Sequence, residues 1–307
     1  MLPSPGPPWY TAITVSGGRR NIALTLAGGG NRAFFGLGVL HRWSPRLLPR
    51  LGALAACSAG AAVAMVWLSG REMPARAFWR ARRAGMTRNF DWLRVLRGRS
   101  PAPHGAIYRD TLLCAAAEGG LERIRELEFP VLVLAAGFPR LVPAPLGAAV
   151  GLAVYNVEKR LRPALVHLSY GRRVGFVPRI FDARTCTSPE ELADLVIASS
   201  STPPFTPIGN FRGEALLDGS MIDTVPAFAA EQVAGILRNL VLLTRPYPRD
   251  AIGPGGEHGD RLYVAPSRPV PIERWDYTRP DLLDATIAMG EHEAAWHDPS
   301  LARLLAV

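Results

Sequence analysis

Apolar residues along the chain alternate between two rhythms. Residues 21–30, NIALTLAGGG, are a short apolar run ending in three glycines; residues 31–43, NRAFFGLGVLHRW, then bring Phe34, Leu37 and Leu40 back at helical spacing. This is a strand, a glycine turn and a helix. A second such unit follows at once, with LGALAA (51–56) as a small-residue strand, CSAG as a turn and AAVAMVWLSG as an apolar helix. FPVLVLAAGF (129–138) reads as a buried strand. Ser188 followed by Glu191 is the capping box of a helix through SPEELADLVIASSS. ALLDGS (215–220) is a strand ending in a turn, VPAFAAEQVAG (225–235) a helix, RNLVLLT (238–244) a core strand and residues 279–297 a last helix. Strands alternating with helices predict an α/β protein with a mainly parallel sheet covered on both faces. No repeat or linker interrupts the pattern. The expected organisation is a proline-rich lead (1–20) and a single domain (21–307).

Two segments break the rhythm. Residues 71–99 are rich in arginine, with Trp79, Phe90, Trp92, Leu93 and Leu96 interspersed. They predict helices with one apolar and one basic face, either a solvated surface or an interfacial one with Trp79 and Trp92 at the lipid boundary. Residues 141–157, LVPAPLGAAVGLAVYNV, lie in an apparent insertion at 139–165. They fit a lid, a shallow membrane anchor, a dimer contact or a helix covering the sheet.

Composition narrows the function classes. The hydrophobic fraction is 48%, enough for a substantial core, and it excludes a mainly disordered chain. The net charge of +9 favours anionic partners, although Lys159 is the sole lysine among 35 basic residues and coding bias explains such an arginine excess equally well. Cys57, Cys114 and Cys186 suggest neither a disulfide framework nor a metal site. No signal peptide or membrane-spanning run is legible, so a cytoplasmic protein, peripheral on a membrane at most, is expected.

Three short motifs carry chemistry. In Ala56-Cys57-Ser58-Ala59-Gly60 a serine sits on a sharp strand-to-helix turn among small residues, which pushes its hydroxyl out at the carboxyl end of the sheet. Gly28, Gly29 and Gly30 with Asn31 and Arg32 leave backbone N–H groups open at a helix start, where a phosphate or an oxyanion binds. The dinucleotide and Walker patterns are both absent from that turn. Asp218-Gly219-Ser220 ends a third strand; alone it is a common turn, but a carboxylate there is placed to take the proton of Ser58.

Taken in order, GGGNR, ACSAG and LLDGS, with IASSSTPPFTPI just before the last, resemble the patatin-like phospholipase family over residues 21–226. The resemblance implies a three-layer α/β/α sandwich and a Ser58–Asp218 dyad without a catalytic histidine. It assigns the oxyanion loop to Gly28, Gly29, Gly30, Asn31 and Arg32, and the substrate class to phospholipid or other glycerolipid esters. It implies no cofactor and no metal. Ala27, Ala33, Ala56 and Ser220 are the departures from the usual pattern. The alternatives are an acyltransferase using the same serine, a non-catalytic lipid-binding or membrane-scaffold protein, and a Ser-His-Asp triad completed by His258 or His292. The charge also permits a nucleic-acid binder, but no nucleic-acid-binding motif is present, so an anionic membrane surface is the expected partner. Oligomeric state is not legible.

Overall fold

The computed structural model describes residues 20–91, 93, 101–102, 104–140, 142–168 and 170–306. The lead up to residue 19, and Trp92, Leu96 and Leu141 of the two unusual segments, lie outside the described residues. Among the described residues the strands are β1 (Ile22–Leu26), β2 (Leu51–Cys57), β3 (Val131–Gly137), β4 (Val177–Asp182), β5 (Gly209–Phe211), β6 (Glu214–Asp218), β7 (Arg238–Leu242), β8 (Glu257–His258) and β9 (Arg261–Val264). They form one sheet, ordered in space β5, β6, β3, β2, β1, β7, β9, β8, with β4 also paired to β3. The central strands β3, β2, β1, β7 and β9 are parallel neighbours. Antiparallel pairs are confined to the two ends.

The helices are α1 (Phe34–Leu47), α2 (Ala59–Leu68), α3 (Glu72–Arg83), α4 (His104–Ala116), α5 (Gly120–Arg125), α6 (Ala144–Leu161), α7 (Tyr170–Arg173), α8 (Pro189–Ala198), α9 (Ala227–Glu231), α10 (Arg249–Ile252), α11 (Pro280–Ala294) and α12 (Asp298–Leu305). Side chains alternate across the sheet and both faces are covered. Leu24, Leu26 and Leu54 join the main core with Phe35, Leu37 and Leu40 of α1. Ala23, Ala53 and Ala55 point the other way, against Ala229 and Ala230 of α9. Burial on both sides is why these strands read as apolar runs rather than as alternation. α1 and α11 touch backbone to backbone: a Cβ on Gly38 would lie 1.9 Å from the Ile287 carbonyl oxygen, and one on Gly290 would lie 2.0 Å from that of Phe35.

The capping box forms with one shift. Ser188 Oγ accepts from Glu191 N–H at 3.1 Å, but the Glu191 carboxylate takes the N–H of Thr187, not that of Ser188, at 2.6 Å. β4, β5, β8 and β9 were not apparent from the pattern. β5 and β8 are three and two residues long, and β4 is half-exposed with no apolar run.

The two unusual segments resolve differently. α3 is amphipathic as expected, yet Trp79 is 5% exposed and stacks on Phe34 at 4.8 Å between ring centroids. An interfacial position for Trp79 is therefore corrected: Arg76, Arg80 and Arg82 of α3 pair with acids, Arg83 is buried and donates to the carbonyls of Tyr277 and Asp276, and the aromatic face packs inward. In α6, Gly147, Ala148, Gly151, Tyr155 and Glu158 are buried, whereas Leu146, Val150, Val157 and Leu161 are exposed. The helix thus covers the sheet with one face and presents an apolar stripe with the other. No helix among the described residues is long and apolar enough to cross a membrane.

Candidate active site

Ser58 sits between β2 and α2 at φ 53° and ψ −132°, a conformation that costs a side-chain-bearing residue roughly 1–3 kcal/mol. The surroundings enforce it. Ser58 N–H donates to Ser199 Oγ at 2.9 Å, and that hydroxyl donates onward to the Leu134 carbonyl at 2.6 Å. Gly60 lets the first turn of α2 lie against β1, where a Cβ would be 2.5 Å from the Leu26 oxygen and 2.7 Å from that of Ala27. The positive end of the α2 dipole therefore lies beside the hydroxyl.

Sheet register brings the carboxylate to the serine. β4 holds one edge of β3 from Leu132 to Gly137. β2 holds the other edge as far as Cys57, opposite Leu134. β6 takes over that same edge one residue later, with Asp218 opposite Ala135. The chain thus leaves β3 at Ser58 where it arrives at Asp218, and Ser58 Oγ donates to Asp218 Oδ2 at 2.8 Å. Gly219 is required by the crowding, since a Cβ there would lie 2.3 Å from the Leu134 oxygen and 2.9 Å from Cys57 Cβ. Asp218 Oδ1 accepts from Ser220 N–H at 2.8 Å. Burial raises the Asp218 carboxyl above its ordinary value, against hydrogen bonds from Ser220 and Ser58 and the charge of Arg274, which favour the ionised form. The neighbouring Cys57 thiol is pushed well up, chiefly by burial and then by the charge of Asp218.

The glycine loop after β1 lies next to the elbow because β1 and β2 are parallel neighbours. Its five candidate residues divide into two groups. Gly28 N–H donates to the Thr224 carbonyl at 2.9 Å and Asn31 N–H to the Arg274 carbonyl at 3.0 Å. Asn31 Nδ2 donates to the Asp276 carbonyl at 2.6 Å, and Arg32 Nε to that of Gly29 at 3.3 Å. These three residues hold the loop in place. The N–H groups of Gly29 and Gly30 have no acceptor among the described residues. Gly30 lines both cavities onto which Ser58 opens. Glycine is essential there: φ is +60°, and a Cβ would lie 2.2 Å from the Arg274 oxygen.

The two cavities differ sharply. The larger, about 410 Å³, runs from Ser58 between α2, α3 and α4, walled by Phe34, Trp79, Tyr108, Leu112, Phe205 and Trp275 among others. The smaller, about 140 Å³, holds Ser58 and Asp218 together with Tyr155, Met221 and Arg274. Arg274 Nη2 donates to Tyr155 Oη at 2.8 Å.

Among the described side chains, which do not include that of His104, no histidine lines either cavity. His258 is exposed on β8 at the far edge of the sheet, and His292 packs on Trp296. His41 binds Glu72 at 2.7 Å, and His167 binds Asp223 at 2.8 Å. Neither candidate for a triad is near Ser58. Sequence reasoning missed Ser199, Tyr155 and Arg274. Ser199 belongs to a run of three serines in which nothing marks one as the elbow's support. Arg274 is one arginine among many, and its place depends on a loop remote in sequence.

The patatin-like phospholipase family matches residues 24–231, and the chain belongs to it. This is a family of lipid acyl hydrolases. Among solved structures the chain is similar to VipD from Legionella pneumophila, at 13% identity and a TM-score of 0.43, over 94% of this chain and 67% of that one. No curated protein matches the chain.

Proposed function

We propose that the protein hydrolyses acyl esters of phospholipids or related glycerolipids through an acyl-enzyme on Ser58. The observation that carries this reading is the 2.8 Å hydrogen bond from Ser58 Oγ to Asp218 Oδ2, made where an apolar cavity of about 410 Å³ opens. Ser58 Oγ attacks the ester carbonyl and Asp218 takes its proton. Burial makes Asp218 a stronger base than an ordinary carboxylate. The N–H groups of Gly29 and Gly30, with that of Ala59 at the start of α2, stabilise the oxyanion. As the tetrahedral intermediate collapses, the leaving alcohol regains the proton from Asp218. Water then attacks the acyl-Ser58 with Asp218 again as base, releasing the fatty acid and free Ser58. The acyl chain lies along Phe34, Trp79 and Leu112.

The exposed stripe Leu146, Val150, Val157 and Leu161 runs along the outside of α6, whose Leu152, Tyr155 and Asn156 line the smaller cavity. On this reading the stripe rests in the lipid interface and sets the mouth of the site against it. The test is release of p-nitrophenol from short- and medium-chain esters by wild type, Ser58→Ala, Asp218→Ala and a His258→Ala/His292→Ala double variant. Loss in the first two variants with the rate kept in the third supports the dyad. Wild-type turnover no greater than that of Ser58→Ala, on these esters and on phosphatidylcholine vesicles, leaves lipid binding without hydrolysis as the function.

A further inference from the structure

Beyond the smaller cavity lies a narrow cleft of about 20 Å³ whose lining is unusually cationic: Arg32, Lys159, Arg162, Arg245 and Arg274, together with Gly28 and Tyr247. Most arginines elsewhere on the molecule have a carboxylate within reach, such as Arg76 with Glu72 and Asp284, or Arg261 with Glu231. These five cations have none within 4 Å among the described residues. Their hydrogen bonds go to neutral partners: Arg32 to the Gly29 carbonyl at 3.3 Å, Lys159 to the Tyr155 hydroxyl at 3.2 Å, Arg274 to the same hydroxyl at 2.8 Å and Arg245 to the Pro163 carbonyl at 2.7 Å; Arg274 alone also feels the charge of Asp218, across the smaller cavity. Arg162 lies 5.2 Å above the Tyr170 ring.

The cations act on one another. Burial and then the charges of Arg274 and Arg245 hold Arg32 below its ordinary value, against opposing contributions from Tyr155 and, last, Glu273. Burial and then Arg274 lower Lys159. Burial pushes the Tyr155 phenol up, but Arg274 and Lys159 outweigh it and leave it lowered. Like charges gathered in a partly desolvated cleft destabilise the fold unless an anion joins them. The cleft is narrow, and what its cationic lining suits is a small anion. Arg274 is shared between this cleft and the cavity holding Ser58 and Asp218, so an anion here is one polar head away from the reacting ester.

We propose that Arg32, Lys159, Arg162, Arg245 and Arg274 form a receptor for a phosphate group, carried on the polar end of the lipid whose ester lies at Ser58. Only the link to the ester rests on the hydrolase reading; the anion site itself does not. Binding is therefore measured on the full-length Ser58→Ala chain, by titration calorimetry with glycerol 3-phosphate and with inorganic phosphate at fixed ionic strength. Lys159→Gln/Arg245→Gln in that background is expected to weaken binding at least about tenfold, the loss typical of a charge-assisted contact. Arg279→Gln/Arg303→Gln removes the same charge from exposed ion pairs and is expected to leave binding unchanged. With Ser58 present, Lys159→Gln/Arg245→Gln is expected to raise KM for monomeric dibutyroyl phosphatidate by a similar factor. Turnover of p-nitrophenyl butyrate is expected to stay within twofold.

If inorganic phosphate binds as well as glycerol 3-phosphate, alters p-nitrophenyl butyrate turnover and leaves the phosphatidate KM independent of Lys159 and Arg245, the site stands with a free phosphate as its ligand. Binding by Ser58→Ala without any wild-type ester hydrolysis keeps the site and removes the hydrolase reading. Absence of binding by either probe, or equal weakening by the two double variants, overturns the proposal.

Discussion

On one side of Ser58 the walls are Phe34, Trp79 and Leu112; on the other they are Tyr155, Asp218 and Arg274, with Arg32, Lys159 and Arg245 close behind. The two sides are built by different means. The apolar side draws on helices α2, α3 and α4, whose inward faces belong to the protein's core. The polar side draws on strand ends, the glycine loop and α6, where backbone groups already need partners and charge can be held by hydroxyls and carbonyls. On the proposed reading, Ser58 at such a boundary fits an amphiphile whose ester joins an apolar chain to a polar head. The contrast also explains the α3 correction: its arginines advertised an interface, while its aromatic face was needed to wall the cavity.

The contrast is broken most completely at its centre. Ser58→Ala is expected to cut p-nitrophenyl butyrate turnover by about 10⁴-fold or more, as for other nucleophile deletions, with circular dichroism unchanged. Ser199→Ala removes the hydroxyl that joins Ser58 N–H to the Leu134 carbonyl. A drop in kcat of roughly 10- to 100-fold with little change in KM is expected from the misplaced nucleophile, together with about 1–3 kcal/mol of stability lost in urea titrations. Ala62→Leu intrudes on the apolar side alone. Dodecanoyl ester turnover should fall by roughly tenfold, a few displaced methylene contacts, and butyryl turnover should barely change.

The smallest effect separates the sides by pH. Because burial raises the Asp218 carboxyl, activity should be lost on acidification through an apparent pKa above the ordinary carboxylate value. Arg274→Gln removes a charge that favours the ionised form, so this limb should move further up. The sign for stability is opposite. A carboxyl raised in the fold binds more protons folded than unfolded, so its contribution is present below the unfolded value and is lost as pH rises through the folded one. Asp218→Asn should therefore be no less stable than wild type at neutral pH, while inactive.

Much of this arrangement was legible beforehand. NIALTLAGGG and LGALAACSAG placed β1, β2, the glycine loop and the elbow, because buried parallel strands and tight turns leave strong local marks. LLDGS placed Asp218 at a strand end, though not that β6 runs antiparallel and inherits the edge of β3 that β2 gives up. That depends on pairing between distant segments, which no local pattern encodes. The same holds for Arg274, reached from far along the chain, and for the division of the loop between the N–H groups of Gly29 and Gly30 and the anchoring role of Gly28, Asn31 and Arg32. Short or half-exposed strands such as β4 and β8 carry too few buried residues to print a rhythm.

The dyad is tested most directly by reacting the protein with a fluorophosphonate and locating the adduct by peptide mass spectrometry. One adduct on Ser58, formed far more slowly in Asp218→Asn and at the wild-type rate in His258→Ala/His292→Ala, is the expected result. An adduct on another residue, or one on Ser58 whose rate does not depend on Asp218, would contradict it.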